Sequence, residues 1–140
     1  MTQIKWMEKY LAEAEQMFYN NQVDEGLVML NNLLYDEPGY GSLHNRLGWA
    51  YLYYTQDAAR AELHLKMAVR FDESFAPPYQ HLGTLYMRTG RYSEAIACLE
   101  KGLNQDQPNK VAMLQNMAHV FELQGAWGNI PLFLYPQFYK

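Results

Sequence analysis

Chemistry in this chain would have to come from a short set of side chains. The four histidines stand at His44, His64, His81 and His119, and the single cysteine is Cys98. No two histidines fall four apart with a carboxylate beside them, the spacing that gathers metal ligands on one helical face. There is no phosphate-cradling glycine loop, no HExxH and no nucleophile elbow. Cys98 shares a helical face with Ala95 and Leu99, and its charged sequence neighbours are Arg91, Glu94 and Lys101. It therefore reads as a half-buried packing thiol, because a reactive one needs a consistently electropositive setting. Each histidine reads as a surface or packing residue. The expectation is no catalytic residue, no metal, no cofactor and no enzyme.

Composition narrows the classes further. Eleven Lys and Arg against fifteen Asp and Glu leave a net charge of −4, and hydrophobic residues make up 49%. The first argues against nucleic acid, whose phosphates need a basic surface, and the second against a disordered tail. No run of 18 apolar residues exists, so no membrane span is expected. The N-terminal MTQIKWMEKYLAEAEQ has early acids and no apolar stretch, so it does not read as a leader. One cysteine gives no support to an oxidising compartment, and a cytoplasmic location is expected. The length of 140 residues fits one domain. Twelve tyrosines are more amphipathic rings than such a core needs, which points some of them at a surface or partner.

The elements that would position these side chains follow from a repeat. A small residue recurs at Ala14, Gly48, Gly83 and Ala118. Three positions later comes a bulky one: Met17, Tyr51, Tyr86 and Phe121. A second small residue stands at Gly26, Ala61 and Ala95, with Ile130 in the last copy, and four later comes leucine at Leu30, Leu65, Leu99 and Leu134. Leu33, Ala68 and Gly102 follow three further on. Offsets of 3, 4 and 7 share one helical face. A glycine there costs about 1 kcal/mol of helix propensity, so Gly26, Gly48, Gly83 and Gly102 are read as close-packing positions. Gly90 and Gly125 are read as turns. The prolines at 38, 77, 78, 108, 131 and 136 all fall at joints. Asp24, Asp57 and Ser93 stand near starts of second helices, with Glu25 and Glu94 in first turns. No alternating β pattern appears. Seven helices are expected, over 3–20, 24–36, 41–55, 58–72, 77–89, 93–105 and 110–124.

This pattern resembles the tetratricopeptide repeat, a 34-residue helix–turn–helix with a W-x2-L-G-x2-Y signature. The matches are Leu47-Gly48-x2-Tyr51, Leu82-Gly83-x2-Tyr86, Ala61…Leu65…Ala68, Ala95…Leu99…Gly102 and Pro38. The signature Trp is replaced by Tyr10, His44, Tyr79 and Leu114. Repeat two lacks the turn glycine and carries one extra residue around 54–60, and another extra residue falls in 104–109. The resemblance implies an all-α, right-handed solenoid in a single domain, with repeats at about 7–40, 41–75 and 76–110 and a partial fourth over 111–140. It implies a protein- or peptide-binding scaffold or adaptor whose first helices line a concave groove.

Groove positions carried over from the family are Asn45, Gln80 and Gln115, then Trp49, Thr84 and His119, then Tyr53 and Arg88. Leu52, Met87 and Glu122 lie beside them, and repeat one contributes Leu11, Glu15, Phe18 and Tyr19. Trp49 and Tyr53, four apart, would form an aromatic anchor, the amides would bond a peptide backbone, and Arg46 and Arg88 would favour acidic groups. The chaperone-binding subclass grips a C-terminal carboxylate with cations and Asn at positions that here hold Leu11, Glu15, Arg46, Pro77 and His81. Only Arg46 is cationic among them, so such a clamp is not expected. A bacterial secretion chaperone of this length is a variant of the binding reading. The apolar end, Ile130–Tyr139, lacks the polar cap of a solenoid end. It is expected to fold back over Met117 and Phe121, to join a second copy as a homodimer or higher oligomer, or to be a truncated or altered remnant of a fourth repeat; self-association is the alternative function.

Overall fold

The computed structural model describes the backbone of residues 2–106 and 110–125, and their side chains from residue 5 onward. These residues form seven α-helices and no strand. They are α1 (Thr2–Tyr19), α2 (Val23–Asp36), α3 (Gly41–Ala50), α4 (Ala58–Phe71), α5 (Pro77–Arg88), α6 (Tyr92–Leu103) and α7 (Lys110–Gln124), with one π-helical turn, Tyr51–Thr55, running on from α3. They fall into two compact units, divided after Glu73. None of the described helices is long and apolar enough to cross a membrane. The apolar end, Ile130–Tyr139, lies outside the described residues, as does part of the 104–109 insertion.

In the first unit α1 packs on α2, α3 on α4, and α3 also meets α1 and α2. The apolar stripe of α1 is Met7, Leu11, Ala14 and Phe18, spaced 4, 3 and 4 apart, and all four are buried. Phe18 lies over Gly26, where a Cβ would fall 2.8 Å from its ring. At Gly48 a Cβ would fall 2.4 Å from Leu65 Cγ. The small-residue positions therefore do what their spacing implied: they close the helix pairs. In the second unit α5 pairs with α6, and α7 packs on both. Gly83 sits under Leu99 and Gly102 under Met113 in the same manner. Asp57 caps α4, its Oδ1 accepting from the Arg60 N–H at 3.1 Å. Asp24 and Ser93 lie inside their helices and make no such cap.

The turn within each repeat ends on a residue with positive φ. These are Asn21, Gln56, Gly90 and Gly125, at 65°, 62°, 77° and 67°. Asn21, Gly90 and Gly125 come seven residues after the small residue of their repeats, while Gln56 comes eight after Gly48. That is where the extra residue of repeat two goes. The N–H of Gln22 reaches back five residues to the Met17 carbonyl, and Arg91 does the same to Tyr86, each at 2.8 Å. In repeat two the matching acceptor is the Tyr51 carbonyl, and its donor is Asp57, six residues on, at 3.1 Å. The Thr55 hydroxyl also donates to that carbonyl at 3.0 Å. A π turn adds one residue to a helical turn without ending the helix. The expected α-helix over 41–55 is corrected accordingly to an α-helix ending at Ala50 and a π turn.

Candidate binding surface

The surface of the first unit is built on α3. Asn45 is 7% exposed, and its Oδ1 has no hydrogen-bond partner among the described residues. Arg46, one residue on, places Nη1 3.1 Å from a Glu15 carboxylate oxygen. Its guanidinium also lies over Trp49, 5.5 Å from the ring centroid. Glu15 accepts a second bond, from the Tyr19 hydroxyl at 2.8 Å. That bond, ahead of burial, raises the Tyr19 pKa, since the neutral phenol is the donor. The charge of Arg46 is thus already balanced by Glu15.

Trp49 is half-buried in a cluster of rings. Phe18 lies 5.3 Å away at 86°, Tyr19 6.0 Å away at 84°, and Tyr54 5.1 Å away at 60°. These are edge-to-face arrangements, each worth about 0.5–1.5 kcal/mol beyond burial. The sequence placed Tyr53 beside Trp49 because residues four apart share an α-helical face. The π turn widens that repeat to five, and Tyr54 is the ring packed on Trp49; Tyr53 is half-buried. For the same reason Leu52, expected beside the groove, is buried at 5% exposure. Leu11 and Phe18 of α1 are also core residues, each 1% exposed, and not groove residues.

The second unit carries the remaining expected positions. On α5, Gln80 and Thr84 are half-buried, and the Thr84 hydroxyl donates to the Gln80 carbonyl at 3.2 Å. Arg88 is exposed at the end of that helix. On α7, Gln115 and His119 are exposed, with His119 Nδ1 3.7 Å from Glu122. Gln80 and Thr84 thus meet through the backbone one turn apart.

Repeat two also holds a contact that sequence reading missed. His44 is 1% exposed, its Nδ1 is 3.1 Å from His64 Nδ1, and its Nε2 is 2.6 Å from the Pro38 carbonyl oxygen. Tyr51 lies against His64 at 5.7 Å, and Phe71 against His44 at 5.4 Å. The His64 pKa is pushed down to about 4, by burial first and then by His44 and Arg60. The two histidines are twenty residues apart on different helices, and no sequence spacing links them. Cys98 is half-buried in α6 and forms no disulfide. Among the described residues there is no group of three or more His, Cys, Asp or Glu placed to hold a metal. Two shallow hollows, of about 390 and 270 Å³, are lined by Asn31, Leu34, Tyr35 and Pro38 and by Leu63, Lys66, Met67 and Arg70. Neither includes an expected binding residue.

A family model described as "Tetratricopeptide repeat" matches residues 52–118. Among solved structures, the chain is similar to Pseudomonas aeruginosa pilF, with a TM-score of 0.82 and 16% identity over 89% of this chain and 56% of that one. It is similar to MamA protein, with a TM-score of 0.74 and 19% identity over 84% of this chain and 63% of that one. It is also similar to the first TPR of Spaghetti (RPAP3), solved bound to the HSP90 peptide SRMEEVD, with a TM-score of 0.75 and 18% identity over 83% of this chain and 90% of that one. The chain therefore spans 56% and 63% of the first two structures' lengths. At these identities the likeness is one of fold. No curated protein matches by sequence.

Proposed function

For a chain that carries tetratricopeptide repeats across residues 52–118, we propose a scaffold or adaptor role, in which the α3 surface around Asn45 and Trp49 binds an extended, largely uncharged peptide segment of a partner protein. The observation that carries this reading is the Asn45 amide. A buried acceptor without a donor costs about 1–3 kcal/mol. Turned toward the surface, the amide would accept from an incoming backbone N–H, and half-buried Trp49 offers an apolar contact on the same helix. By the family pattern, Tyr53 is proposed as part of the first unit's surface, and Gln80, Thr84, Arg88, Gln115 and His119 are proposed as peptide-binding residues of the second unit. Binding without catalysis and a cytoplasmic setting are part of it.

The peptide class is argued from charge. The RPAP3 structure holds a peptide ending in EEVD. In the present chain the corresponding clamp positions are Leu11, Glu15, Arg46, Pro77 and His81. Arg46 is spent on Glu15 at 3.1 Å, and no Lys or other Arg stands among them. A C-terminal carboxylate therefore finds no free cation at these positions.

The test is selection from a displayed library of random peptides on the full chain, followed by fluorescence polarisation with a selected peptide. Asn45→Ala should weaken that binding about tenfold, the worth of one buried hydrogen bond, and leave the melting temperature unchanged or slightly raised. Equal affinity of Asn45→Ala and the parent chain, or a library that yields no binder, defeats the reading.

A further inference from the structure

The His44–His64 contact has a proton arrangement fixed by geometry. Pro38 offers a carbonyl, which only accepts, so His44 Nε2 at 2.6 Å carries the hydrogen and donates it. In a neutral imidazole the other nitrogen is then a bare acceptor. His44 Nδ1 accepts, and His64 Nδ1, 3.1 Å away, donates. The rings lie 23° from parallel with centroids 5.3 Å apart, too far for a face-to-face stack and suited to an edge-on N–H···N bond. A metal on the line between these nitrogens would lie well inside the ~2.0 Å of a metal–imidazole bond. The result is one chain of bonds from α4 through α3 to the corner after α2.

Protonation has few places to go. A proton on His44 Nδ1 would set two N–H groups against each other across 3.1 Å. A proton on His64 Nε2 keeps the bond but puts a charge in a half-buried site that Arg60 already makes positive. The groups around the pair are Tyr51 from the π turn, Arg60 from α4 with its partner Asp57, and Phe71 at the end of α4. The corner contributes the Pro38 carbonyl, with Asp36 and Glu37 as its nearest carboxylates in sequence. Glu8 of α1 is held by the Tyr40 hydroxyl at 2.6 Å. Among the described residues no carboxylate bonds to either imidazole, so nothing offsets an added charge.

We propose that His44 and His64 form an acid-released latch within the first unit: while neutral, the pair pins α4 and the Pro38 corner to α3, and on acidification it lets them part, loosening the helix that carries Asn45 and Trp49. The latch is independent of what that surface binds. The sign follows from linkage. An unfolded His charges near pH 6.5, while folded His64 resists until about 4. The unfolded chain thus gains protons first, and stability is full above pH 6.5 and lost as pH falls toward 4.

The test is hydrogen exchange at the α3 amides of the full chain between pH 7 and pH 5, corrected for intrinsic exchange. Protection should fall about tenfold more in the parent than in His64→Asn, whose side-chain amide nitrogen takes the place of Nδ1 and donates but does not titrate. Parallel profiles overturn the proposal. A second measurement needs no variant: ring-nitrogen NMR of the parent at pH 6 should show His44 protonated at Nε2, and His64 protonated at Nδ1 and neutral. A charged His64 at pH 6, or the opposite tautomers, overturns it equally.

Discussion

Gly48→Ala tests the closure of the first unit directly. A methyl group there would fall 2.4 Å from Leu65 Cγ, 2.6 Å from Leu65 Cδ2 and 3.3 Å from the Ala61 carbonyl oxygen. Carbon atoms rest at about 3.5–4.0 Å, so the Leu65 branch must retreat by about 1 Å. Cγ is the branch point, close to the backbone, and Leu65 is 0% exposed. A χ1 change that moved Cγ would press this fully buried side chain into its other neighbours, so α3 and α4 must separate slightly. Overpacking of this kind costs about 1–3 kcal/mol. Replacing a helical glycine by alanine returns about 1 kcal/mol. The net expectation is a loss of about 0–2 kcal/mol, read by urea denaturation followed by circular dichroism.

The magnitude alone does not identify the cause, so a second substitution is needed. Leu65→Ala removes a buried side chain and costs about 2–5 kcal/mol through lost contacts and a cavity. In the double variant the new methyl group occupies part of that cavity and no longer meets Cγ. The double variant should therefore be more stable than the sum of the single losses by about 1–2 kcal/mol, a coupling expected only between residues in contact. Additive losses, or a Gly48→Ala chain more stable than the parent, would refute the close-packing argument for this glycine.

Two further outcomes are expected. Gln56 adopts φ 62°, which an L side chain occupies at a cost of about 1 kcal/mol; Gln56→Gly should raise stability by about 0.5–1 kcal/mol, and a lower melting temperature would show that its side chain holds the turn. The SRMEEVD peptide should show no saturable binding by fluorescence polarisation up to about millimolar concentration, because Arg46 is engaged by Glu15; micromolar affinity would mean that this ion pair opens for a carboxylate.

Much of the fold was legible because it rests on periodicity. The small residues at Gly26, Gly48, Gly83 and Gly102 announced close approaches, and each lies under a side chain of a facing helix. The extra residue of repeat two was legible as a count, but not as a π turn, since the choice between a longer loop and a widened helical turn is made by the Tyr51 carbonyl and its donors. The site suffered most from this. A four-residue rule placed Tyr53 beside Trp49, and the wider turn placed Tyr54 there. Leu11 and Phe18 misled for another reason: an apolar side chain on α1 suits the core and a groove equally well, and pattern alone does not choose. His44 replaces a signature Trp, so its burial was implicit, but its bond to His64 is tertiary.

Repeat two concentrates features that work against stability. Its turn puts Gln56 at positive φ where repeat three has Gly90. Among the described residues, Asn45 buries an acceptor with no donor, and Arg46 Nε is buried and unpartnered as well. His64 is held neutral far below its ordinary titration range. The left-handed turn and the orphan acceptor each cost about 1 kcal/mol or more, and the His64 cost appears on acidification, against a total stability of only about 5–15 kcal/mol for a domain. Simple exchanges would remove them: a turn glycine, an apolar residue for Asn45, a second ring for His64. Departures from local consistency cluster where a protein has a use for them. The orphan amide, the ring cluster displaced by the π turn and the histidine latch share α3 and its continuation. A variant of repeat two relieved of all three costs should therefore be the most stable form of the unit and the poorest binder. Gains in both stability and affinity would break the link between strain and function.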